Sequence, residues 1–262
     1  MSIKRFRNKF IVFIGIFFVG FGVFLAWIYL SQVPAILMYH QVDLSLEPKA
    51  QKVTPELFER QMALLKEWNF NVVSLDALVK RMESGQRVPR NWVVITFDDG
   101  YENNYTRAFP VLKKYGYPAT MFVSSDFLNT KDFMNFDQLR EMIESGIDIG
   151  SHTRFHRYVG GVPQQLQYDE IVNSKKILET NLKRPINYFS YPLGGFDEQA
   201  KRIVKEAGYK AAVTTNRGFA VKNKDLYELK RVRLSNSDQN IVDIWVKYAG
   251  FANVFRKGKK PH

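Results

Sequence analysis

Val93-Val94-Ile95-Thr96-Phe97-Asp98-Asp99-Gly100 is the stretch from which the fold of this chain is read. Its β-branched and aromatic residues suit a sheet, and a run apolar on both faces suits a strand covered on both sides. The run ends in two adjacent carboxylates and a glycine. Strand C-termini are where α/β folds carry their chemistry. Neighbouring residues at such an end point in different directions, so the two carboxylates can hold two different roles. Taken alone, Asp-Asp-Gly is equally a plain turn.

Outward from this stretch, strands and helices alternate. A first strand is predicted over 33–40, ending on His40, with a polar loop over 43–52. Thr54 and Pro55 read as the cap and first residue of a helix reaching about Trp68. A short strand over 71–73 and a helix capped by Ser74 complete the approach to Trp92. Beyond Gly100 the pattern predicts a helix over 103–115 with Pro110 as a kink point, then a strand over 119–123 and a helix over 137–145. A strand over 147–150 leads into a polar loop holding His152 and His156. A helix over 167–179, a strand over 188–191, a helix capped by Asp197 and a strand over 210–214 follow. The last elements are a strand over 229–234 and a helix over 241–248. This alternation means α/β with a mostly parallel sheet. The number of units suits a distorted or incomplete (β/α) barrel, and no GxGxxG or GxxxxGK[ST] motif supports a nucleotide-binding sheet.

The chain of 262 residues is long enough for one ordinary core. It has no cysteine and only four histidines, His40, His152, His156 and His262, so any metal site must combine imidazoles with carboxylates. The formal charge of +12 is concentrated at the two ends, in Lys4, Arg5, Arg7 and Lys9 and in Arg256, Lys257, Lys259 and Lys260. The body is only mildly basic, which argues against nucleic acid as a partner. Residues 10–30 carry no charge. About 20 such residues can cross a bilayer core of roughly 30 Å as a helix. The basic cluster ahead predicts a cytoplasmic N-terminus, and Trp27 and Tyr29 suit an interface. An uncleaved transmembrane signal-anchor is therefore expected in preference to a cleaved signal peptide. The predicted layout is a basic cytoplasmic segment 1–9, a membrane anchor 10–30, an extracytoplasmic body 33–255 and a basic tail 256–262.

Ser151-His152-Thr153-Arg154-Phe155-His156 places two imidazoles four residues apart, just after a strand. With one carboxylate they make a His₂Asp set that leaves positions for water and substrate. Histidines in loops are often only polar surface. The Asp98-Asp99 pair at another strand end shifts the reading to a metal site. A glycosidase is a poor rival, because adjacent carboxylates on one strand end do not flank a glycosidic bond.

These motifs resemble those of the polysaccharide deacetylase family (NodB homology domain, carbohydrate esterase family 4), and are most similar to its poly-N-acetylglucosamine deacetylase branch. The family's TFDDG motif stands here as Thr96 to Gly100, and its HxxxH motif as His152 to His156. The resemblance implies that Asp98 is the general base and that Asp99, His152 and His156 hold one divalent metal. Zn²⁺ is the default, and Co²⁺, Ni²⁺ or Fe²⁺ fit the same donors. It further implies that the Leu193 N–H is the oxyanion donor. Tyr191, Pro192 and Arg231 are the expected groove residues.

Two departures from the family pattern stand out. No histidine occurs over 229–234, where the commonest pattern has its general acid, so the early His40 is the candidate for that role, as in the poly-N-acetylglucosamine branch. No arginine precedes Pro192, and Arg231 is the candidate to reach Asp98 instead. The implied activity is metal-dependent hydrolysis of the N-acetyl groups of a cell-surface N-acetylglucosamine polysaccharide. Poly-β-1,6-N-acetylglucosamine is the first choice. A peptidoglycan or chitin-like substrate, or a non-catalytic glycan-binding protein, are the alternatives. The expected partners are the polysaccharide and, through 10–30, the membrane.

Overall fold

The opening stretch forms β5, Trp92–Phe97, inside a sheet in which every strand pairing among the described residues is parallel. The computed structural model describes residues 13–14, 16–24, 26–27, 34–44, 51–216 and 225–251. It divides into two units, Met1–Gln32 and Val33–His262. In the second unit β1 is Ala35–Tyr39, β2 Gln41–Val42, β3 Lys52–Val53 and β4 Asn71–Val72. Beyond β5 lie β6 Thr120–Val123, β7 Asp148–Ser151, β8 Tyr188–Ser190, β9 Ala211–Thr214, β10 Leu229–Lys230 and β11 Val232–Arg233. The sheet runs β10-β9-β8-β7-β6-β5-β1-β11, with β4 beside β5 off that path.

The two ends of this path are consecutive in the chain. β10 pairs with β9 through Leu229 and Lys230, and β11 pairs with β1 through Val232 and Arg233. One continuous segment thus holds both edges, and the predicted single strand over 229–234 is divided at Arg231. The expected α/β barrel is present, and this segment closes it.

Because the strands are parallel, all their C-terminal ends open on one rim. Side chains alternate inward and outward along each strand. One buried cluster collects Ile36, Val94, Phe122, Tyr188, Ala211, Val213 and Leu229, with Leu75, Leu78 and Val79 of the helix Leu75–Glu83 packed into it. The other, larger cluster packs Leu37, Tyr39, Ile95, Phe97, Met121 and Ile149 with helix residues such as Phe58, Met62, Leu112 and Leu139. Continuing the first face toward the rim gives Thr96 and Asp98, Ser190, Arg231 and His40. The same face that is apolar at one end of the barrel becomes polar and ionisable at the other.

The helices carry the expected caps. Thr54 Oγ1 accepts from the Leu57 N–H at the start of Pro55–Glu67, Ser74 Oγ from Ala77, and Asp197 from Ala200. The helix predicted over 103–115 is a π-turn, Asn104–Ala108, running into an α-helix, Phe109–Tyr115. Pro110 has no N–H to give to the preceding turn, and the wider register accommodates the loss. A second π-turn, Asp169–Asn173, links the helices Gln164–Tyr168 and Ser174–Leu182. The short pairing of β2 with β3 falls at the edges of the segment read as loop.

The expected signal-anchor is not found. Among the described residues no helix is long and apolar enough to cross a membrane. The single-pass membrane location, the membrane as partner through 10–30 and the extracytoplasmic placement resting on them are withdrawn. The predicted basic segment 1–9 and tail 256–262 lie outside the described residues.

Candidate metal centre and active site

Asp98 and Asp99 follow β5 directly, and the turn that ends the strand separates their directions. Asp99 has φ +77° and Gly100 φ +87°, two successive left-handed residues. Gly100 is required there, since a Cβ would stand 3.0 Å from Val123 Cγ1 in a backbone conformation that L-residues seldom adopt. The turn and the site are therefore the same feature.

Asp99 Oδ1 lies 3.5 Å from His152 Nε2 and 3.3 Å from His156 Nε2. One ligand atom from each of these three residues lies within 4.8 Å of the others. Donors bound at about 2.0–2.2 Å to one ion stand about 3–3.5 Å apart, so the spacing fits a metal. His152 Nδ1 is 2.8 Å from the Ser190 carbonyl, which can only accept, so Nδ1 carries a proton and Nε2 is the nitrogen turned toward Asp99 Oδ1. That oxygen is buried without a hydrogen-bond partner, and the place between it and the two Nε2 atoms suits a cation, a proton or a metal. Burial pushes the His152 pKa down, but Asp98 and then Asp99 pull it above its ordinary value. Burial and the neighbouring His152 hold the His156 ring below its ordinary value. A divalent-metal-binding triad of Asp99, His152 and His156 is present.

Asp98 does not face the triad as a fourth ligand of the same kind. It is 2% exposed and is clasped by Arg231, with Nη1 donating to Oδ1 at 2.7 Å and Nη2 to Oδ2 at 2.5 Å. Burial raises the Asp98 carboxyl, but the Arg231 guanidinium, then His152 and His40, bring it well below the usual carboxylate range. A carboxylate has about four lone-pair directions, and the arginine fork takes two. Ser190 Oγ makes a longer contact at 3.4 Å. Asp98 is thus ionised, fixed, and still able to accept one more proton donor. Arg231 also donates to Thr96 Oγ1 at 3.1 Å and Ser190 Oγ at 2.9 Å, so the barrel-closing segment is tied to β5 and β8 through its one inward arginine.

His40 follows β1, whose Tyr39 is in register with Phe97 of β5, so His40 and Asp98 emerge side by side. Its Nδ1 is buried without a partner. Burial holds its pKa below the ordinary histidine value, against the pull of Asp98 and Asp99. The five residues named for base, acid and metal therefore meet on one rim, together with Arg231.

The third motif needs correction. Tyr191 is 0% exposed. It stacks on Phe196 with ring centroids 4.5 Å apart and donates its hydroxyl to the Tyr227 carbonyl, so it has no free face for a sugar. Pro192 is also buried, and Arg231 is a partner of Asp98 rather than groove wall. Leu193, at φ +57° and 69% exposed, is the residue of this turn that reaches solvent. Its carbonyl accepts from Thr215 Oγ1 at 3.0 Å and the Gly194 carbonyl from Thr214 Oγ1 at 2.7 Å, which pins the turn from β9.

Sequence reasoning missed Ser190 and Thr96 as contacts of the arginine. Thr96 was open to detection, since it is two residues before Asp98 and so shares its face. Ser190 was not, because only the barrel brings β8 opposite the segment carrying Arg231.

Comparison with known proteins bears on this arrangement. Residues 85–212 match the family model "Polysaccharide deacetylase". That span holds both carboxylates and both ligand histidines but neither His40 nor Arg231. YxkH of Bacillus subtilis (strain 168), whose name also places it among the polysaccharide deacetylases, is 34% identical over 213 residues, which are 80% of this chain and 75% of that protein. The poly-beta-1,6-N-acetyl-D-glucosamine N-deacetylase of Staphylococcus epidermidis is 30% identical over 206 residues, 73% of this chain and 71% of that protein. Among solved structures, the Streptococcus pyogenes deacetylase PplD in complex with acetate superposes with a TM-score of 0.75 at 26% identity, covering 83% of this chain and 98% of PplD.

Proposed function

Because the chain belongs to the polysaccharide deacetylase family and is a metal-dependent hydrolase of that family, we propose that it removes N-acetyl groups from poly-β-1,6-N-acetylglucosamine with Zn²⁺. The activity is assigned to residues 33–255. The observation that carries the deacetylase chemistry is the convergence of Asp99, His152 and His156 beside an Asp98 that is held by Arg231 instead of joining the ligands.

The bound metal supplies Lewis acidity, polarising the acetamide carbonyl and lowering the pKa of a water. Asp98 takes the proton of the attacking water through the lone pair that Arg231 leaves free. The Leu193 N–H donates to the oxygen on which negative charge develops. His40 gives a proton to the departing amine. Acetate and a free amino sugar result.

The choice of glycan is supported by the Staphylococcus relative, whose name specifies that polymer, and by the early His40, the placement of the acid in that branch. Peptidoglycan and chitin-like chains present the same acetamide. The test is acetate release by the purified protein from poly-β-1,6-N-acetylglucosamine, peptidoglycan and chitin oligomers, with metal content measured on the same sample. The expected result is preference for the β-1,6 polymer. Preference for another glycan overturns the substrate, and bound metal with no acetate from any of them supports a glycan-binding role on the same fold.

A further inference from the structure

The two ligand histidines can converge only if the four-residue step between them folds back. Thr153 has φ +66° and His156 φ +53°, both left-handed without being glycine. A loop in that state does not hold itself, and the contacts around it show what does.

Glu170 belongs to the π-turn Asp169–Asn173 and is 0% exposed. A single oxygen, Oε2, accepts from two consecutive backbone N–H groups, those of Arg154 and Phe155, each at 3.0 Å. These are the peptides midway between His152 and His156. The other oxygen, Oε1, lies 3.5 Å from Arg157 Nε and has no hydrogen bond. A carboxylate taken fully out of water is costly unless its charge is engaged, and here it is engaged mainly by the ligand loop. Ser174, at the end of the same π-turn, donates to the Thr153 carbonyl at 2.9 Å. From the other side, the N–H groups of Ser125 and Asp126 donate to the carbonyls of Thr153 and Arg154. The Arg154 side chain is forked between Asp126 and Asp169. The π-register aims Asp169 and Glu170 together at the loop.

We propose that Glu170 is a positioning residue of the metal centre: its buried carboxylate sets the backbone between His152 and His156 before metal arrives, and so governs metal affinity. It touches neither substrate nor metal. This inference rests on the metal-centre reading above.

The test uses the full chain and measures Zn²⁺ affinity by chelator competition, with Co²⁺ absorption as a report on ligand geometry. Glu170→Ala is expected to weaken Zn²⁺ binding by about 10–100-fold, the usual effect of removing an outer partner of a metal ligand, and to alter the Co²⁺ spectrum. Glu170→Gln keeps an acceptor oxygen at the two N–H groups and is expected to recover most of the affinity. Leu178→Ala, a buried apolar change on the helix that follows, controls for general destabilisation and is expected to lower Tm with affinity unchanged. Wild-type affinity in Glu170→Ala overturns the proposal. So does an equal loss in Leu178→Ala, or a Glu170→Gln no better than Glu170→Ala. A wild-type chain that takes up no metal overturns the metal centre itself and this inference with it.

Discussion

Asp98 is buried, ionised and paired, and each of those properties depends on Arg231. A carboxyl whose pKa is depressed by folding adds stability that is complete above its unfolded value of about 3.9 and is lost as pH falls through the folded value. Arg231→Ala works against this, since burial, which raises the pKa, is then opposed only by His152 and His40. The variant is expected to lose about 3–5 kcal/mol at pH 7 by leaving a buried charge unpaired. Its Tm deficit should shrink as pH falls from 7 to 4 and Asp98 takes up a proton. Thermal melts across that range check this, and a constant deficit counts against the pairing as described. Asp98→Asn and His40→Ala separate chemistry from metal. Both are expected to bind metal as wild type does while turnover falls by about 10²–10⁴-fold, the range for a lost general acid or base. Acetate release beside metal analysis decides it, and unchanged turnover in His40→Ala removes that residue from the mechanism. The sequence names these groups by type and position. It does not show that one of them is clasped, which depends on a partner more than a hundred positions away.

At the level of elements, β7 shows how closely the barrel interior is filled. A Cβ on Gly150 would meet the Phe122 ring at 2.4 Å and the Tyr188 carbonyl at 3.0 Å. Gly150 gives up its side chain so that Phe122 of β6 can fill the inner face beneath His152. Gly150→Ala is expected to cost about 1–3 kcal/mol by overpacking, measured as a lower denaturation midpoint. A variant as stable as wild type refutes the close approach. The legible elements were those whose cause is local. Thr54, Ser74 and Asp197 announce helix starts because a side-chain oxygen captures an N–H two or three residues ahead. The π-turns were not legible, because each is a single five-residue turn, too short to set a period of its own in the sequence. The division of the last strand at Arg231 was not legible either, because it arises from pairing with β9 on one side and β1 on the other.

For the whole molecule, metal and fold should be coupled. A ligand that binds the native state alone stabilises it by about 2.7 kcal/mol when present at a hundred times its dissociation constant. Stripping the metal with chelator is expected to abolish acetate release and lower Tm, with both restored by Zn²⁺. A Tm indifferent to chelator contradicts a metal seated on two strand-end loops. The absence of a membrane-length helix among the described residues corrects the anchor inferred from an uncharged run, since composition counts apolar residues without establishing a continuous helix. What the amino-acid sequence determined by itself was the α/β alternation, the two motifs and the residue types of the triad, because strand periodicity, caps and ligand chemistry are short-range properties. What only the tertiary structure decided was the closure of the barrel by one segment, the Arg231 clasp on Asp98, the burial of Tyr191 and the hold of Glu170 on the ligand loop. Each of these joins side chains remote in sequence, and their distances exist only once parallel strands have brought their C-terminal ends to a common rim.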